Sequence, residues 1–307
     1  MFVAVFFFIN DKYLKISFIP STISVLRACG FAPKPDYILS DGETSVTFID
    51  VGQGDCTLIR TKEKTVLIDS GEKENASDVI SFLRYSEIPK LDLVIITHPH
   101  SDHCGSMAAV LQKFNADLVL MPELNTEWSL DIPMCSKIMN VISEKEIECR
   151  RPVLGEIFKL SDESYIQIVA PVENTYDDMN ENSIAATFIH GENSFLFMGD
   201  IGFEAEYDII DSGADIDVDV LKVGHHGSAG STSPEFLRYV TPETAVFLVG
   251  FDNSYGHPKK VVFDRLMDAE CYTTYSTMNN GSIVFVSDGQ SLNVLTERNG
   301  CIVLTGS

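Results

Sequence analysis

The chain's 307 residues are 45% hydrophobic, enough to bury a large core as one sizeable α/β domain or two closely packed halves, which excludes a disordered or fibrous chain. Its 22 basic side chains against 45 acidic ones leave a formal charge of −23, which argues against strong binding of duplex DNA. The seven cysteines are odd in number and form no Cys-x-x-Cys pair, so a reduced compartment without a disulfide framework is expected. The cytoplasm is favoured, with membrane association or export as alternatives.

The apolar run Met1 to Ile9 is broken at once by Asn10, Asp11, Lys12 and Lys15. It is too short to span a bilayer, which takes about 20 residues, and it lacks the basic start of a secretory signal. Residues 1–43 are read as an N-terminal extension, either a packed strand or the remnant of a membrane segment, with the packed strand preferred; residues 44–307 are read as the main domain. Strands are expected near 45–50, 56–60, 64–69 and 91–97, with helices near 76–87, 105–114 and 132–144. A second series has strands near 164–170, 183–190, 194–199, 217–223, 244–249, 281–287 and 291–296, and helices near 203–212, 233–240 and 258–269. Ser233-Pro234-Glu235 supplies a cap and first turn. Two such series without a Gly/Ser-rich linker predict an α/β fold of two mixed sheets facing each other, with helices outside.

The chemistry concentrates where expected strands end. The run 91–97 opens into His98-Pro99-His100-Ser101-Asp102-His103. In extended chain, His98 and His100 point the same way and can share one metal, while the adjacent Asp102 and His103 project differently and can reach a second. Imidazole and carboxylate are a ligand set for zinc, manganese or iron, and packed together without a metal they would repel one another. Gly199-Asp200 delivers a carboxylate able to bridge two metals, at another strand edge. Gly224-His225-His226-Gly227-Ser228 adds two imidazoles, and a Gly-Ser loop whose backbone suits phosphate oxygens. Tyr255-Gly256-His257-Pro258 opens a further helix on the same edge. Asp69 is a candidate acceptor for the free N–H of a ligand histidine. His190 is excluded, because the hairpin 183–199 places it about 25 Å from Asp200, whereas Asn182 and Ser183 fall beside that aspartate.

In these motifs, together with Phe48-Ile49-Asp50-Val51-Gly52-Gln53-Gly54-Asp55 and Ser231-Thr232-Ser233, the chain resembles the metallo-β-lactamase fold superfamily. Within that superfamily it is most similar to the hydrolase domain of ComEC-type DNA-uptake proteins and their stand-alone relatives. The resemblance covers roughly residues 44–296 and implies a four-layer αββα sandwich with the site at the strand edges. It also implies that His98 and His100 hold one metal, Asp102 and His103 the other, and Asp200 both, with His226 preferred over His225 as the last ligand. The superfamily usually supplies the first metal with a further histidine; here the segment of Asn182 stands in its place. That metal is then short of a ligand, with water, substrate or Asn182 filling the gap.

The expected function is metal-dependent hydrolysis of phosphoester bonds, with two cations, Zn2+ or alternatively Mn2+ or another divalent metal, clamping the attacking and leaving oxygens and activating a water. Asp102 would serve as both ligand and catalytic group. His225, Lys222, Ser228 and His257 are candidates to bind phosphate or protonate the leaving group. The expected partner is a phosphate-containing substrate, either a small molecule or single-stranded nucleic acid. The alternatives are hydrolysis of a lactone, thioester or β-lactam, and a non-catalytic metal-binding module.

Overall fold

The computed structural model describes residues 39–122, 132–172, 176–251, 253–298 and 302–303. The reading made for the N-terminal stretch falls outside them, apart from the turn that leads into β1. The first sheet contains β1 (Thr44–Phe48), β2 (Thr57–Arg60), β3 (Thr65–Ile68), β4 (Leu91–Ile95), β5 (Ala116–Leu120), β6 (Glu148–Arg150), β14 (Ile283–Ser287) and β15 (Leu292–Thr296), in the order β15-β14-β1-β2-β3-β4-β5-β6. The second contains β7 (Ile157–Lys159), β8 (Ser164–Ala170), β9 (Ala185–His190), β10 (Asn193–Phe197), β11 (Val220–Lys222), β12 (Thr244–Phe247), β13 (Thr273–Ser276) and β16 (Ile302–Val303), in the order β16-β13-β12-β11-β10-β9-β8-β7.

Alternation along the strands sorts the side chains into three cores. Val66, Ile68, Leu93 and Ile95 face inward and meet Phe188, Phe195 and Phe197 of the second sheet. Their neighbours Leu67 and Val94 face outward, under the helices Ala76–Tyr85, Met107–Lys113 and Ile132–Glu144. On the other side, Leu196, Leu221 and Ala245 lie beneath the helices Phe203–Ser212, Pro234–Val240 and Lys260–Asp268. The central strands are therefore buried on both faces, which is why they read as continuous apolar runs. The result is the expected αββα sandwich.

Five of the described strands were not expected from the sequence: β5, β6, β7, β13 and the two-residue β16. β6 and β7 are three-residue edge strands, largely exposed or half-buried, too short to read as an apolar run. β5 and β13 are short, with only parts of each buried. The helix expected over 105–114 starts later, at Met107, and a separate short helix, Ser101–Cys104, forms inside the histidine motif. A side chain on Gly105 would collide with the backbone of Lys73, so the chain passes close to its neighbour at that break. Among the described residues, no helix is long and apolar enough to cross a membrane.

His190 ends β9 at the hairpin tip, paired with Asn193. Its Nδ1 lies 2.7 Å from Ser287 Oγ and 3.1 Å from Thr44 Oγ1, joining the two sheets at the end away from β10's exit. His190→Ala is expected to cost about 1–2 kcal/mol of stability, the price of a buried hydrogen bond, and to leave metal content unchanged. Denaturant unfolding and metal analysis of the purified variant check this; a selective loss of metal in a folded protein would contradict it.

Candidate metal centre

β3 and β4 run parallel in the first sheet, as do β10, β11 and β12 in the second, so their C-terminal ends share one edge. Asp69 follows β3, the histidine motif follows β4, Asp200 follows β10, and His225 and His226 follow β11. His98 Nε2 and His100 Nδ1 face each other at 2.9 Å. His98 Nδ1 lies 3.2 Å from Ser183 Oγ. His103 sits on the first turn of the short helix, with Nδ1 2.8 Å from Asp69 Oδ2 and Nε2 3.1 Å from Asp200 Oδ1. Asp69 is held in turn by the backbone N–H of Thr97 at 2.8 Å and by its hydroxyl at 2.6 Å. His226 Nδ1 donates to Leu248 O at 2.8 Å, and its Nε2 faces Asp102 Oδ2 at 3.2 Å and Asp200 Oδ2 at 3.4 Å.

The donor chemistry fits a cation. Asp69 and Leu248 O take the Nδ1 protons of His103 and His226, which turns the Nε2 atoms toward carboxylate oxygens. His103 Nε2 and Asp200 Oδ1 are both buried, and neither makes a well-formed hydrogen bond. Burial alone would lower the pKa of both imidazoles, but Asp200 and Asp55 outweigh it, holding His103 well above its usual value and His226 up at about 10. Asp200 goes the other way: against burial, His103 and His226 hold its carboxyl well below the usual range. A site this hungry for positive charge takes up protons or a metal. His98, His103 and Asp200, all buried, offer ligand atoms within 4.8 Å of one another.

The turn carrying the histidine pair is strained. His225 (φ 48, ψ 47) and His226 (φ 52, ψ 19) are both left-handed, at about 1–2 kcal/mol per residue. His225 N donates to Gly199 O at 3.0 Å, and Ser228 N donates to His225 O at 2.8 Å. Further on, the carboxylate of Glu206 accepts from the backbone N–H groups of Thr232 and Ser233. Those bonds fix the loop, so that His226 enters the ligand cluster while His225 lines the cleft.

That cleft holds about 240 Å3, and its wall includes His100, Asp102, Asp200, His225, His226 and His257. His257 stands 5.9 Å from the His225 ring and stacks on Tyr255 at 5.7 Å. Three sequence expectations are corrected. Lys222 is 2% exposed, with its ammonium bonded to Gly199 O at 2.9 Å and paired with Asp55 behind the ligands, so it does not reach a substrate. Ser228 does not line the cleft, and its backbone N–H is spent on the turn. The amide of Asn182 is consumed by Tyr176 and Asp178 backbone groups at 2.7–3.1 Å, so it pins its loop and is not free to ligate.

Sequence reasoning passed over Asp55, Gln53 and Asn180. Gln53 and Asn180 also line the cleft, each with a buried polar atom, Gln53 Nε2 and Asn180 Oδ1, lacking a hydrogen-bond partner. Gly54 was the available signal for Asp55. It adopts φ +127, and a Cβ there would collide with Asp102 O, so the loop needs glycine to deliver Asp55 against the histidine motif.

Residues 49–250 match the family described as the Metallo-beta-lactamase superfamily. ComE operon protein 3 of Bacillus subtilis (strain 168), a ComEC-type competence protein, is 28% identical over 264 residues, covering 80% of this chain and 33% of that protein. The chain thus spans about a third of that relative's length. Endoribonuclease YSH1 of Yarrowia lipolytica is 31% identical over 83 residues, covering 25% of this chain and 10% of that protein. The metallo-β-lactamase fold protein YhfI from Bacillus subtilis superposes with a TM-score of 0.53 at 11% identity, covering 80% of this chain and all of that one, a likeness of fold.

Asp200→Ala is expected to lower metal content sharply and abolish hydrolysis while the fold persists; wild-type stoichiometry in the variant would contradict its place at the centre. A second expectation concerns Glu206, whose carboxyl burial pushes up to about 7, its bonds to Ser233 and Thr232 offsetting this only in part. Its folded value exceeds the unfolded 4.5, so its contribution is fully present below about pH 4.5 and is lost as pH rises through about 7, a change of about 3 kcal/mol. Glu206→Gln mimics the protonated form. The stability gap between wild type and variant, followed by urea unfolding across this window, shifts in the variant's favour as pH rises; a pH-independent gap would contradict the assignment.

Proposed function

Because the chain belongs to the metallo-β-lactamase superfamily, we propose that it hydrolyses phosphodiester bonds at a pair of divalent cations, with zinc as the expected metal and manganese as the alternative. His98 Nε2 and His100 Nδ1 would hold one cation and His103 Nε2, Asp102 and His226 Nε2 the other, with Asp200 between them. Bound there, the cations would polarise the phosphoryl oxygens and lower the pKa of a water molecule. The observation that carries the phosphodiester reading is the cleft wall: each of its ten side chains, from Gln53 to His257, can hydrogen-bond, and none is aliphatic. Such a wall suits a charged, strongly hydrated group better than the apolar body of a lactone, thioester or β-lactam. The resemblance to DNA-uptake proteins and to a protein named an endoribonuclease puts single-stranded nucleic acid beside small phosphodiesters as substrate.

His225 and His257 line the cleft side by side, where their ring N–H groups can donate to phosphate oxygens. Burial first, and then His225, lowers His257 to about 4, so it is neutral at neutral pH and serves as a hydrogen-bond donor more readily than as the proton source. Asp102 and Asp200 line the same cleft, Asp200 Oδ2 lying 3.7 Å from His225 Nε2, and can orient a water for attack.

The metal-loaded protein is expected to cleave bis(p-nitrophenyl) phosphate well above a chromogenic β-lactam, with any cleavage of single-stranded DNA falling as salt rises. His257→Ala is expected to slow the diester reaction about 10–100-fold without loss of metal. Faster β-lactam or lactone cleavage, with no diester turnover under either metal, would move the reading to carbonyl chemistry.

A further inference from the structure

Lys222 is the unusual residue of the second sheet. It lies on β11, an interior strand between β10 and β12, and is 2% exposed, yet it points an ammonium into the seam between the sheets. There it pairs with Asp55, which comes from the loop joining β1 and β2 in the other sheet.

The groups around this pair belong to the ligand loops. Lys222 Nζ donates to Gly199 O at 2.9 Å, the carbonyl that also accepts from His225 N and directly precedes Asp200. Asp55 donates its backbone N–H to Asp102 O at 3.0 Å and accepts from Gly71 N at 2.8 Å. Its carboxylate lies 3.3 Å from His226 Nδ1 and 3.9 Å from His103 Nδ1. One ion pair therefore touches every ligand-bearing loop, and it does so on the Nδ1 side, away from the cleft. Asp55, His103 and His226 are gathered closely enough to hold a metal of their own, but the ammonium already stands against Asp55 and would repel a second cation.

We propose that the Asp55–Lys222 pair is a positioning strut, a fixed internal cation and anion that set the spacing of the metal-ligand loops across the two sheets. The inference rests on reading the histidine and aspartate cluster as a metal centre. Stability is a poor alternative purpose, because a buried ion pair is commonly no more stabilising than apolar side chains of the same volume. Geometry is what those apolar side chains could not supply: a directed bond to Gly199 O, and an anion placed behind two imidazoles.

Electrostatics and positioning predict opposite signs for Lys222→Met. Removing a positive charge beside the centre would, by Coulomb's law alone, tighten cation binding. Loss of the strut would weaken it, by at least about tenfold on the scale of other partners behind metal ligands. The test titrates Zn2+ or Mn2+ alone into metal-free wild type, Lys222→Met and the double variant Asp55→Asn, Lys222→Met, against a chromophoric chelator, with circular dichroism and thermal melting alongside. Both variants are expected to bind at least about tenfold more weakly. The double variant buries no lone charge and removes one charge of each sign, so it is expected to melt near the wild type and still bind weakly, and it carries the test if the single variant does not fold. Unchanged or tighter binding in a folded variant would overturn the strut. A wild type that binds neither cation would instead overturn the metal-centre reading on which the strut depends.

Discussion

Negative charge gathered in a buried seam is the constraint around which this molecule is arranged. Asp55, Asp69 and Asp200 are buried, and Asp102 stands beside them at the cleft. At effective dielectrics near 20, two charges about 4 Å apart interact by about 4 kcal/mol, so such a group cannot remain together without compensation. The chain supplies that compensation from both sheets: an ammonium on β11, the imidazole of His103 after β4, and the imidazole of His226 after β11. Neither half of the sandwich carries a complete set of countercharges. The seam closes electrically only when the two sheets pack, which links the architecture to the chemistry.

The same constraint accounts for where the backbone is strained. Asp69 (φ 58), His225 and His226 adopt left-handed conformations that ordinary residues avoid, and each carries a side chain into the seam or its mouth. The loop beyond them is held by Glu206, a second buried acid outside the cluster, whose carboxylate spans the backbone N–H groups of Thr232 and Ser233. Rigid helices and strands thus support a loop that would not adopt its shape alone.

Much of this was legible in the sequence because buried parallel strands leave continuous apolar runs, and residues that end such runs must lie on the sheet edge. The runs 91–97 and 217–223 placed His98 and His226 correctly at that edge, and the hairpin length kept His190 away from it. Tertiary side-chain commitment was not legible. Lys222 follows the alternating pattern of a strand, and nothing local says that its ammonium turns inward to Gly199 O. Asn182 has the chemistry of a ligand, but its amide is used within its own loop. Asn180, two residues earlier, lines the cleft instead. Asp55 was hidden because its role comes from residues 48 to 171 positions away, a distance no spacing rule spans.

The strand order also has consequences during synthesis. β1 lies between β2 and β14, so the first sheet receives one flank of its opening strand only after residues 283–287 have left the ribosome. Until then Thr44–Phe48, buried along its whole length in the finished protein, lacks the β14 partner on that flank. The helices on the first sheet and much of the second can already have formed by that time. Completion is therefore a late, long-range closure, and an edge left uncovered before it is a site for edge-to-edge association.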